Sequence, residues 1–424
     1  MTMSLSQPWR VAVFLMLTAA INYADRAALS AVLPALRAEM ELSDAAIGLL
    51  GSLFLWSYAI GSPIAGYIGD RYSRRKLVLG SLVAWSCVTI ASGFATGFNQ
   101  LALLRIALGF AECVYVPVAI ALLAEEHGPA SRGRAMSLHG VGMSLGVVVG
   151  GTLAGVLAEN FGWRSGFWVL GFIGIGLFAI SKPFLGTRSL VIRPATTPAP
   201  KTKPRVSSRE AFSFIMKTPT YYVLLGTASM NAIGIWIFMV WLPLYFNEKY
   251  MMTMGKAGFA GTFFIALPAI LGHVYGGFVS DWAARHGIRR RMFVFALFYF
   301  LAAPCLIGFV AGAPLYLLYA LIALFSFLRS TGGSNEQPIM CDVIPSAYRS
   351  TAQGIMNACA TGCGGAAVWI AGILKARAGL GTIFAGISTM FVIAGVVIVV
   401  GYFFLVRKDS ERARLYEERM QTAG

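Results

Sequence analysis

The chain consists of apolar stretches long enough to cross a lipid bilayer, which alternate with short, mostly basic gaps. A membrane-spanning helix needs about 20 predominantly apolar residues in succession. Only 12% of the residues are charged, whereas soluble domains carry about 25%, so too little polar material exists to cover a water-exposed surface. We therefore predict an all-α membrane protein with twelve transmembrane helices, at residues 11–36, 46–69, 77–96, 100–126, 133–157, 165–185, 219–247, 256–283, 290–312, 314–341, 350–374 and 380–406.

The longest gap divides these twelve stretches into two sets of six. It holds four prolines (Pro194, Pro198, Pro200 and Pro204) among Lys, Arg and Ser residues, a composition typical of linkers. The predicted domains are an N-terminal six-helix bundle at 1–185, a linker at 186–218, a C-terminal six-helix bundle at 219–406 and a tail at 407–424.

Basic residues are distributed unequally between the two sides of the membrane. With twelve spans, 24 Lys and Arg residues lie on the side of the termini and 6 on the opposite side. Positively charged loops remain in the cytoplasm, so we predict that both termini, the linker and the tail are cytoplasmic. The first stretch carries Asp25 and Arg26 and no cleavage-site pattern, which indicates a retained helix rather than a signal peptide. The chain has no Asn-x-Ser/Thr acceptor, which fits a bacterial inner-membrane protein.

The sequence offers no pattern for metal, disulfide or enzyme chemistry. The 6 cysteines lie in apolar stretches without CxxC spacing, and the 4 histidines do not cluster with them, as expected of buried thiols. We predict no metal site, no cofactor and no enzymatic activity. The net charge of +16 comes from short gaps rather than from a folded basic face, which fits membrane topology and not nucleic-acid binding.

Several charged residues lie inside predicted spans: Asp25, Arg26, Arg105, Glu112, Arg329 and Glu336. Each costs about 2.5–3.5 kcal/mol near a helix centre, so exposure to lipid is disfavoured. Structural ion pairs and snorkelling side chains are one interpretation. Substrate or proton handling is the other.

A depth estimate favours the functional interpretation. Asp25 follows Arg10 by 15 residues, which places it about 22 Å from the cytoplasmic edge. Arg105 lies about 8 Å from the opposite edge, and these depths coincide in a hydrocarbon core about 30 Å thick. Glu112 is two turns along the same face as Arg105. We therefore predict that Asp25 and Arg105 pair across a cavity, with Glu112 near the midplane.

This set of residues suits proton coupling. Burial raises the pKa of a carboxyl group and a neighbouring arginine lowers it. An arginine that moves, or that takes up an anionic substrate, therefore switches such a carboxyl group between its charge states. We predict that Asp25 and Glu112 carry protons and that Arg105 tunes them.

Two loop patterns occur once in each half of the chain. The first runs Gly66-x-x-x-Asp70-Arg71-x-x-Arg74 after span two, with a second copy at Gly277 and Asp281 after span eight. The other is Arg-Gly-Arg-Ala at 132–135, echoed by Arg-Ser-Thr-Ala at 349–352, and the two offsets of 211 and 217 residues nearly agree. Parallel repeats of this kind place a substrate site at their interface, near the middle of the membrane.

The chain resembles the major facilitator superfamily in these loops and in its whole layout. The resemblance implies that fold, with two six-helix bundles, and transport by alternating access. It also implies that the loop residues stabilise one of the two access states and do not bind substrate. The gating residues are then Gly66, Asp70, Arg71, Arg74, Gly277 and Asp281.

Three spans resemble the anion:cation symporter family within that superfamily. They carry Ile21-Asn-Tyr-Ala-Asp25-Arg26, Arg105-x-x-x-Gly109-x-x-Glu112 and Trp241-Leu-Pro-Leu-Tyr245. Its members mostly import organic anions such as sugar acids with protons, so the resemblance implies proton-carrying carboxylates and carboxylate-handling arginines at Asp25, Glu112, Arg26 and Arg105. The first loop, Glu112-x-x-Tyr115 and the segment around Arg349 look equally like spinster-type lipid transporters, and the branch stays open.

Span ten contains a polar decapeptide, Arg-Ser-Thr-Gly-Gly-Ser-Asn-Glu-Gln-Pro, at 329–338. Its glycines and proline weaken a helix, so its backbone must face a cavity or other protein, unless the span ends early and the segment is a loop. In the first case we predict substrate contacts for Arg329, Asn335 and Glu336, with Arg329 placed opposite Glu112 by the 217-residue offset.

The remaining candidate cavity residues are an amide and four aromatic side chains in spans one, two, four and seven: Tyr23, Tyr58, Tyr115, Asn231 and Trp236. Aromatic residues in membrane helices also serve as packing or interface anchors. A different prediction concerns span five, whose small residues indicate close helix packing: Gly140, Gly142, Gly146, Gly150, Gly151 and Gly155.

The leading functional prediction is a monomer that imports a small organic anion with protons. Transport of lipids or other amphiphiles, proton-coupled export, and a receptor built on a transporter fold are the alternatives.

Overall fold

A computed structural model describes residues 6–185 and 208–422, without the side chains at positions 66, 67, 70, 71, 129, 130, 182, 208, 350 and 420–422. The first part of the chain forms eight helices: α1 (Gln7–Met40), α2 (Asp44–Arg71), α3 (Arg74–Ser92), α4 (Phe98–Glu112), α5 (Tyr115–Glu126), α6 (Pro129–Phe161), α7 (Trp163–Ala179) and α8 (Lys182–Leu185). The second part forms eight more and a 3₁₀ turn at Ala303–Phe309: α9 (Ser208–Met216), α10 (Pro219–Tyr250), α11 (Met254–Ala284), α12 (Ile288–Ala302), α13 (Leu315–Gly333), α14 (Glu336–Val343), α15 (Arg349–Phe404) and α16 (Val406–Thr422).

The number of membrane crossings agrees with the prediction. In the described ranges, 10 helical segments are long and apolar enough to cross a bilayer, and Trp163–Ala179 is a shorter apolar helix. The longest segment is two helices that meet at Gly379, whose φ of 71° is not helical and which glycine adopts without strain. The chain is thus an all-helical, multi-pass membrane protein with twelve crossing segments.

Two crossings are interrupted near charged residues. Span four breaks directly after Glu112, where α4 ends and α5 begins at Tyr115. Span ten breaks between Gly333 and Glu336 but continues to Val343 as one apolar crossing. The polar decapeptide is therefore an interrupted helix and not a loop.

Backbone contacts divide the chain into two compact units. One unit comprises Met1–Arg193, Trp236–Ala266 and Gly365–Leu380; the other comprises Pro194–Ile235, Leu267–Gly364 and Gly381–Gly424. We call them unit 1 and unit 2. The division into domains at residues 185 and 219 stays a prediction.

In unit 1, α1 packs along α6 through glycines. A Cβ atom at Gly146 would lie 2.1 Å from the carbonyl oxygen of Ala20, and one at Gly150 would lie 2.3 Å from Ala24 Cα. These positions confirm the close packing predicted for span five, although Gly140 has nothing within 4 Å of its Cβ position. The contact fixes the segment of α1 that carries Asp25 and Arg26.

In unit 2, two helices outside the crossings pack against the start of α15. Glu210 of α9 accepts a hydrogen bond of 3.0 Å from the hydroxyl of Tyr348, which also contacts the hydroxyl of Tyr416 in α16. Asp409 of α16 accepts a bond of 2.7 Å from the backbone N–H of Thr220, near the start of α10. The end of the linker and the tail are therefore ordered helices, which the sequence interpretation did not anticipate.

Candidate functional site

A buried ion pair joins the first and fourth spans in unit 1. Nε of Arg26 donates to Oε2 of Glu112 across 2.8 Å, and the side chains are 4% and 0% exposed. Nη2 of Arg26 donates to the side-chain oxygen of Asn22 at 3.1 Å. The predicted pair of Asp25 with Arg105 is wrong: the described ion pairs contain Arg26–Glu112 instead. A depth estimate fixes the height of a residue but not its face, and neighbouring helical positions differ by about 100°.

Asp25 is a buried carboxylate with one hydrogen bond. Its Oδ2 accepts from the hydroxyl of Thr89 at 3.1 Å, and its Oδ1 has no partner among the described residues. The residue is 1% exposed. A buried charge normally has a counter-charge or several hydrogen bonds, so Asp25 lies in an environment that can also hold a neutral carboxyl group.

Arg105 is buried with unused donors. The residue is 3% exposed, and neither Nε nor Nη1 has a hydrogen-bond partner in the described part of the chain. Its Cζ lies 4.9 Å from the centroid of the Phe54 ring, a cation–π distance. Guanidinium N–H groups form strong hydrogen bonds to carboxylates, so Arg105 has donors available for an anion.

Aromatic rings surround the other arginine. The Cζ of Arg26 lies 4.5 Å from the ring centroid of Tyr23, 5.2 Å from that of Phe54 and 4.8 Å from that of Tyr58. Of the predicted aromatic residues, Tyr23 and Tyr58 therefore contact the ion pair. Tyr115 does not belong to this set, because it is fully buried and its hydroxyl donates to the carbonyl of Leu15 at 2.7 Å. It packs the bundle.

A cavity in unit 1 brings the two arginines to one wall. Its lining includes Arg26, Arg105, Phe54 and Trp236, and the two carboxylates are not part of it. Glu112 is connected to the cavity indirectly, because it forms an ion pair with Arg26, which lines the cavity. The predicted cavity residue Trp236 is thus correctly placed.

A second polar cluster lies in unit 2. Nη1 of Arg329 donates to the side-chain oxygen of Asn231 at 2.8 Å, and Nε has no partner among the described residues. Arg329 also interacts electrostatically with Glu336 and Tyr299. Asn335 is 0% exposed, and its Oδ1 accepts no hydrogen bond from the part of the chain that the structure describes. Tyr299, whose buried hydroxyl has no described partner, was missed, because it lies in an aromatic run that gives no polar signal.

Part of the predicted gating set falls outside what the structure describes. Gly66, Asp70 and Arg71 belong to α2, but their side chains lie outside the described residues. Arg74 forms an ion pair of 2.6 Å with Glu125 of α5. In the second copy, Gly277 has nothing within 4 Å of its Cβ position and Asp281 is exposed, without an ion pair to any described residue.

Sequence reasoning missed a closed ring of four charges at the other end of unit 1. Arg37 lies 3.2 Å from Asp44 and 2.8 Å from Glu248, and Lys375 lies 2.9 Å from Asp44 and 2.7 Å from Glu248. The ring joins α1 and α2 to α10 and α15. Each of these residues lies near the end of a predicted span, where charges are common, so the sequence alone carries no sign of it.

Comparisons with known proteins agree with this architecture. The family model of the Major Facilitator Superfamily matches residues 15–305 and 278–423. A hexuronate transporter of Bacillus subtilis (strain 168) is 27% identical over 368 residues, which are 82% of this chain and 83% of the relative. A voltage-gated purine nucleotide uniporter of Rattus norvegicus is 25% identical over 283 residues, 65% of this chain and 62% of the relative.

The fold is also similar to a solved structure. This is a bacterial homolog to the human lysosomal transporter Spinster, in an inward-facing and unoccupied conformation. It matches with a TM-score of 0.75 and 19% identity, over 97% of this chain and 99% of that one. At this identity the likeness concerns the fold alone.

Proposed function

The chain belongs to the Major Facilitator Superfamily, and we propose that this transporter moves a small organic carboxylate together with protons by alternating access. The name of the hexuronate transporter supports an organic acid as substrate. The observation that carries the proposal is a buried set of four charged residues. It consists of the Arg26–Glu112 ion pair, of Arg105, whose Nε and Nη1 have no partner among the described residues, and of Asp25, which accepts one hydrogen bond from them.

Charge balance explains why a proton accompanies the anion. With both carboxylates ionised, Asp25 and Glu112 balance Arg26 and Arg105. A carboxylate entering alone leaves one excess negative charge in a buried site, and an uncompensated buried charge costs several kcal/mol. A carboxylate that enters with one proton leaves the set neutral. The substrate carboxylate and the proton therefore bind cooperatively.

Asp25 is the proposed proton acceptor. Among the described residues it forms no ion pair, whereas Glu112 is held by Arg26. Protonation of Glu112 would break that pair and leave Arg26 without its counter-charge. Protonation of Asp25 gives up only part of one hydrogen bond from Thr89. Glu112 takes up a proton only later in the transport cycle, when Arg26 has moved away from it.

Arg105 is the proposed anchor for the substrate carboxylate. Its two partnerless nitrogen atoms face no described acceptor, and it lines the cavity. The roles predicted for Arg329, Asn335 and Glu336 stay a separate proposal for unit 2, where Nη1 of Arg329 donates to the side-chain oxygen of Asn231.

The charge ring is proposed to close one entrance. It ties the end of α1 and the start of α2 to the end of α10 and to the middle of α15, next to its kink at Gly379. Its opening would release helices from both halves of the sequence. The excess of 24 over 6 basic residues supports cytoplasmic termini in a bacterial inner membrane. With cytoplasmic termini, the charge ring faces the outside of the cell. We also propose that the chain works as a monomer.

Uptake into proteoliposomes tests the proposal. The purified full chain is reconstituted, and a labelled panel of organic acids and one lysolipid is offered at equal pH and with an acidified bath. We expect acidification to drive accumulation of an organic acid, and a protonophore to abolish it. Two results would contradict the proposal: transport of the lysolipid but of none of the organic acids, or uptake of an organic acid at a rate that does not depend on the pH gradient.

A further inference from the structure

The cavity beside Arg105 has an almost wholly apolar wall. Besides the two arginines and Gly51, its lining consists of one serine and six apolar side chains: Leu29, Phe54, Leu55, Trp236, Met239 and Val240. The hydroxyl of Ser30 already donates to the carbonyl of Ala27 at 2.7 Å. Apart from the arginines, this wall therefore offers a substrate hydroxyl only the acceptor lone pairs of Ser30 Oγ and the indole N–H of Trp236.

Such a wall disfavours a polyhydroxylated substrate. A sugar acid carries several hydroxyl groups, and each of them loses its water when it enters a buried site. A hydroxyl without a new partner keeps the full desolvation penalty. An apolar ring placed against the same side chains gains from leaving water and from contacts between aromatic faces and edges.

The charges in unit 1 favour one carboxylate rather than two. Arg26 is neutralised by Glu112 and covered by the rings of Tyr23 and Tyr58. The Nε and Nη1 atoms of Arg105 have no hydrogen-bond partner in the described ranges. Phe54 lies within 5.2 Å of the Cζ atom of both arginines, measured from its ring centroid. The cationic edge and an aromatic face therefore adjoin in the same wall.

We propose that the substrate is a monocarboxylate with an apolar, aromatic body rather than a sugar acid. Arg105 takes the carboxylate through N–H groups of its guanidinium, and the ring lies against Phe54, Trp236 and Met239. This inference rests on the proposed function, since it names the class of organic acid that the same site carries.

Ligand-dependent thermal unfolding of the purified full chain tests the substrate class. The probes are benzoate and phenylacetate, the uncharged benzamide, the sugar acid galacturonate and the dicarboxylate glucarate. We expect half-maximal stabilisation by an aromatic acid at a concentration about tenfold or more below that for galacturonate. Benzamide should not stabilise, because it offers Arg105 no charge.

Three substitutions at two positions make the test independent of folding. Met239→Gln should weaken aromatic-acid binding about tenfold and narrow the preference over galacturonate. Met239→Leu, which conserves volume and polarity, should bind within about twofold of the parent. Trp236→Gln is the second polar variant and should shift the preference in the same direction.

The outcomes separate the two proposals. Uptake and stabilisation by galacturonate or glucarate at lower concentrations than by either aromatic acid would overturn the inference and leave carboxylate transport standing. The inference would also be overturned if Met239→Gln preferred aromatic acids over galacturonate as strongly as the parent does. If no acid of the panel stabilises the chain or moves with protons, carboxylate transport itself fails.

Discussion

The guanidinium of Arg26 donates to Glu112 across 2.8 Å, and neither side chain is more than 4% exposed. Taking two such charges out of water is costly, and a buried pair often stabilises a fold no better than apolar residues of the same volume. The pair therefore needs a reason beyond stability. Charge balance with Asp25 and Arg105 supplies that reason, because these four residues set how many charges the cavity tolerates.

Glu112→Gln should be strongly destabilising. The substitution leaves Arg26 buried without a counter-charge, and breaking a buried pair in this way costs about 3–5 kcal/mol. The free energy of unfolding in detergent measures the effect. Glu125→Gln is the matched control, because Glu125 pairs with Arg74 but its side chain is 57% exposed, and such pairs contribute at most about 1 kcal/mol. Equal losses in the two variants would refute a special role for the buried pair.

Arg105→Lys should weaken substrate binding while preserving the charge. Lysine lacks the planar fork that meets both oxygens of a carboxylate, so we expect KM to rise about tenfold, equivalent to roughly 1.4 kcal/mol. Uptake by proteoliposomes measures KM. Arg164→Lys is the control, because Arg164 binds Glu39 at the rim of unit 1. An unchanged KM in Arg105→Lys would remove Arg105 from the substrate site.

Gly150→Ala should destabilise the bundle, whereas Gly140→Ala should not. The added Cβ lies 2.3 Å from Ala24 Cα in the first case and meets nothing within 4 Å in the second. Overpacking of this kind costs about 1–3 kcal/mol, and an unobstructed helical Gly→Ala change gains up to about 1 kcal/mol. Midpoints of thermal unfolding compare the two. A fall of similar size in both would mean that α1 and α6 are not in close contact.

Asp44→Asn and Lys375→Gln should not be additive. The two side chains are only 15% and 9% exposed and share a charge ring with Arg37 and Glu248. A double-mutant cycle should therefore give a coupling energy of at least about 0.5 kcal/mol. The exposed pair Arg407–Glu411, with side chains 77% and 63% exposed, should give no more than about 0.5 kcal/mol. Additive effects at Asp44 and Lys375 would argue against a ring that acts as a unit.

Hydropathy and loop charge predicted the crossings because lipid imposes length and composition on every span. The glycines of span five likewise predicted its close packing. By contrast, the sequence interpretation did not anticipate the break after Glu112, although Pro117 follows it by five residues in the same span. Proline has no N–H to donate to the carbonyl four residues earlier, that of Cys113, and its ring clashes with that carbonyl, so the break has a local cause in the sequence.

The sequence predicted which charged residues form the buried site of unit 1 but not which of them pair with each other. Asp25, Arg26, Arg105 and Glu112 stand out because charge inside a span is expensive. Which of them pair depends on the rotation of α1 against α4, and a single sequence does not contain that angle. The same limit applies to the charge ring and to the contacts of Tyr299, whose partners come from distant parts of the chain.

Asp25→Asn tests the central claim most directly, because the amide keeps the size of the side chain and cannot take up a proton. Uptake of the preferred acid into proteoliposomes is measured with an acidified bath and, separately, as exchange of labelled for unlabelled acid at equal pH. The account predicts that acid-driven accumulation is lost and exchange persists. Accumulation in Asp25→Asn that follows the pH gradient as in the parent would contradict it.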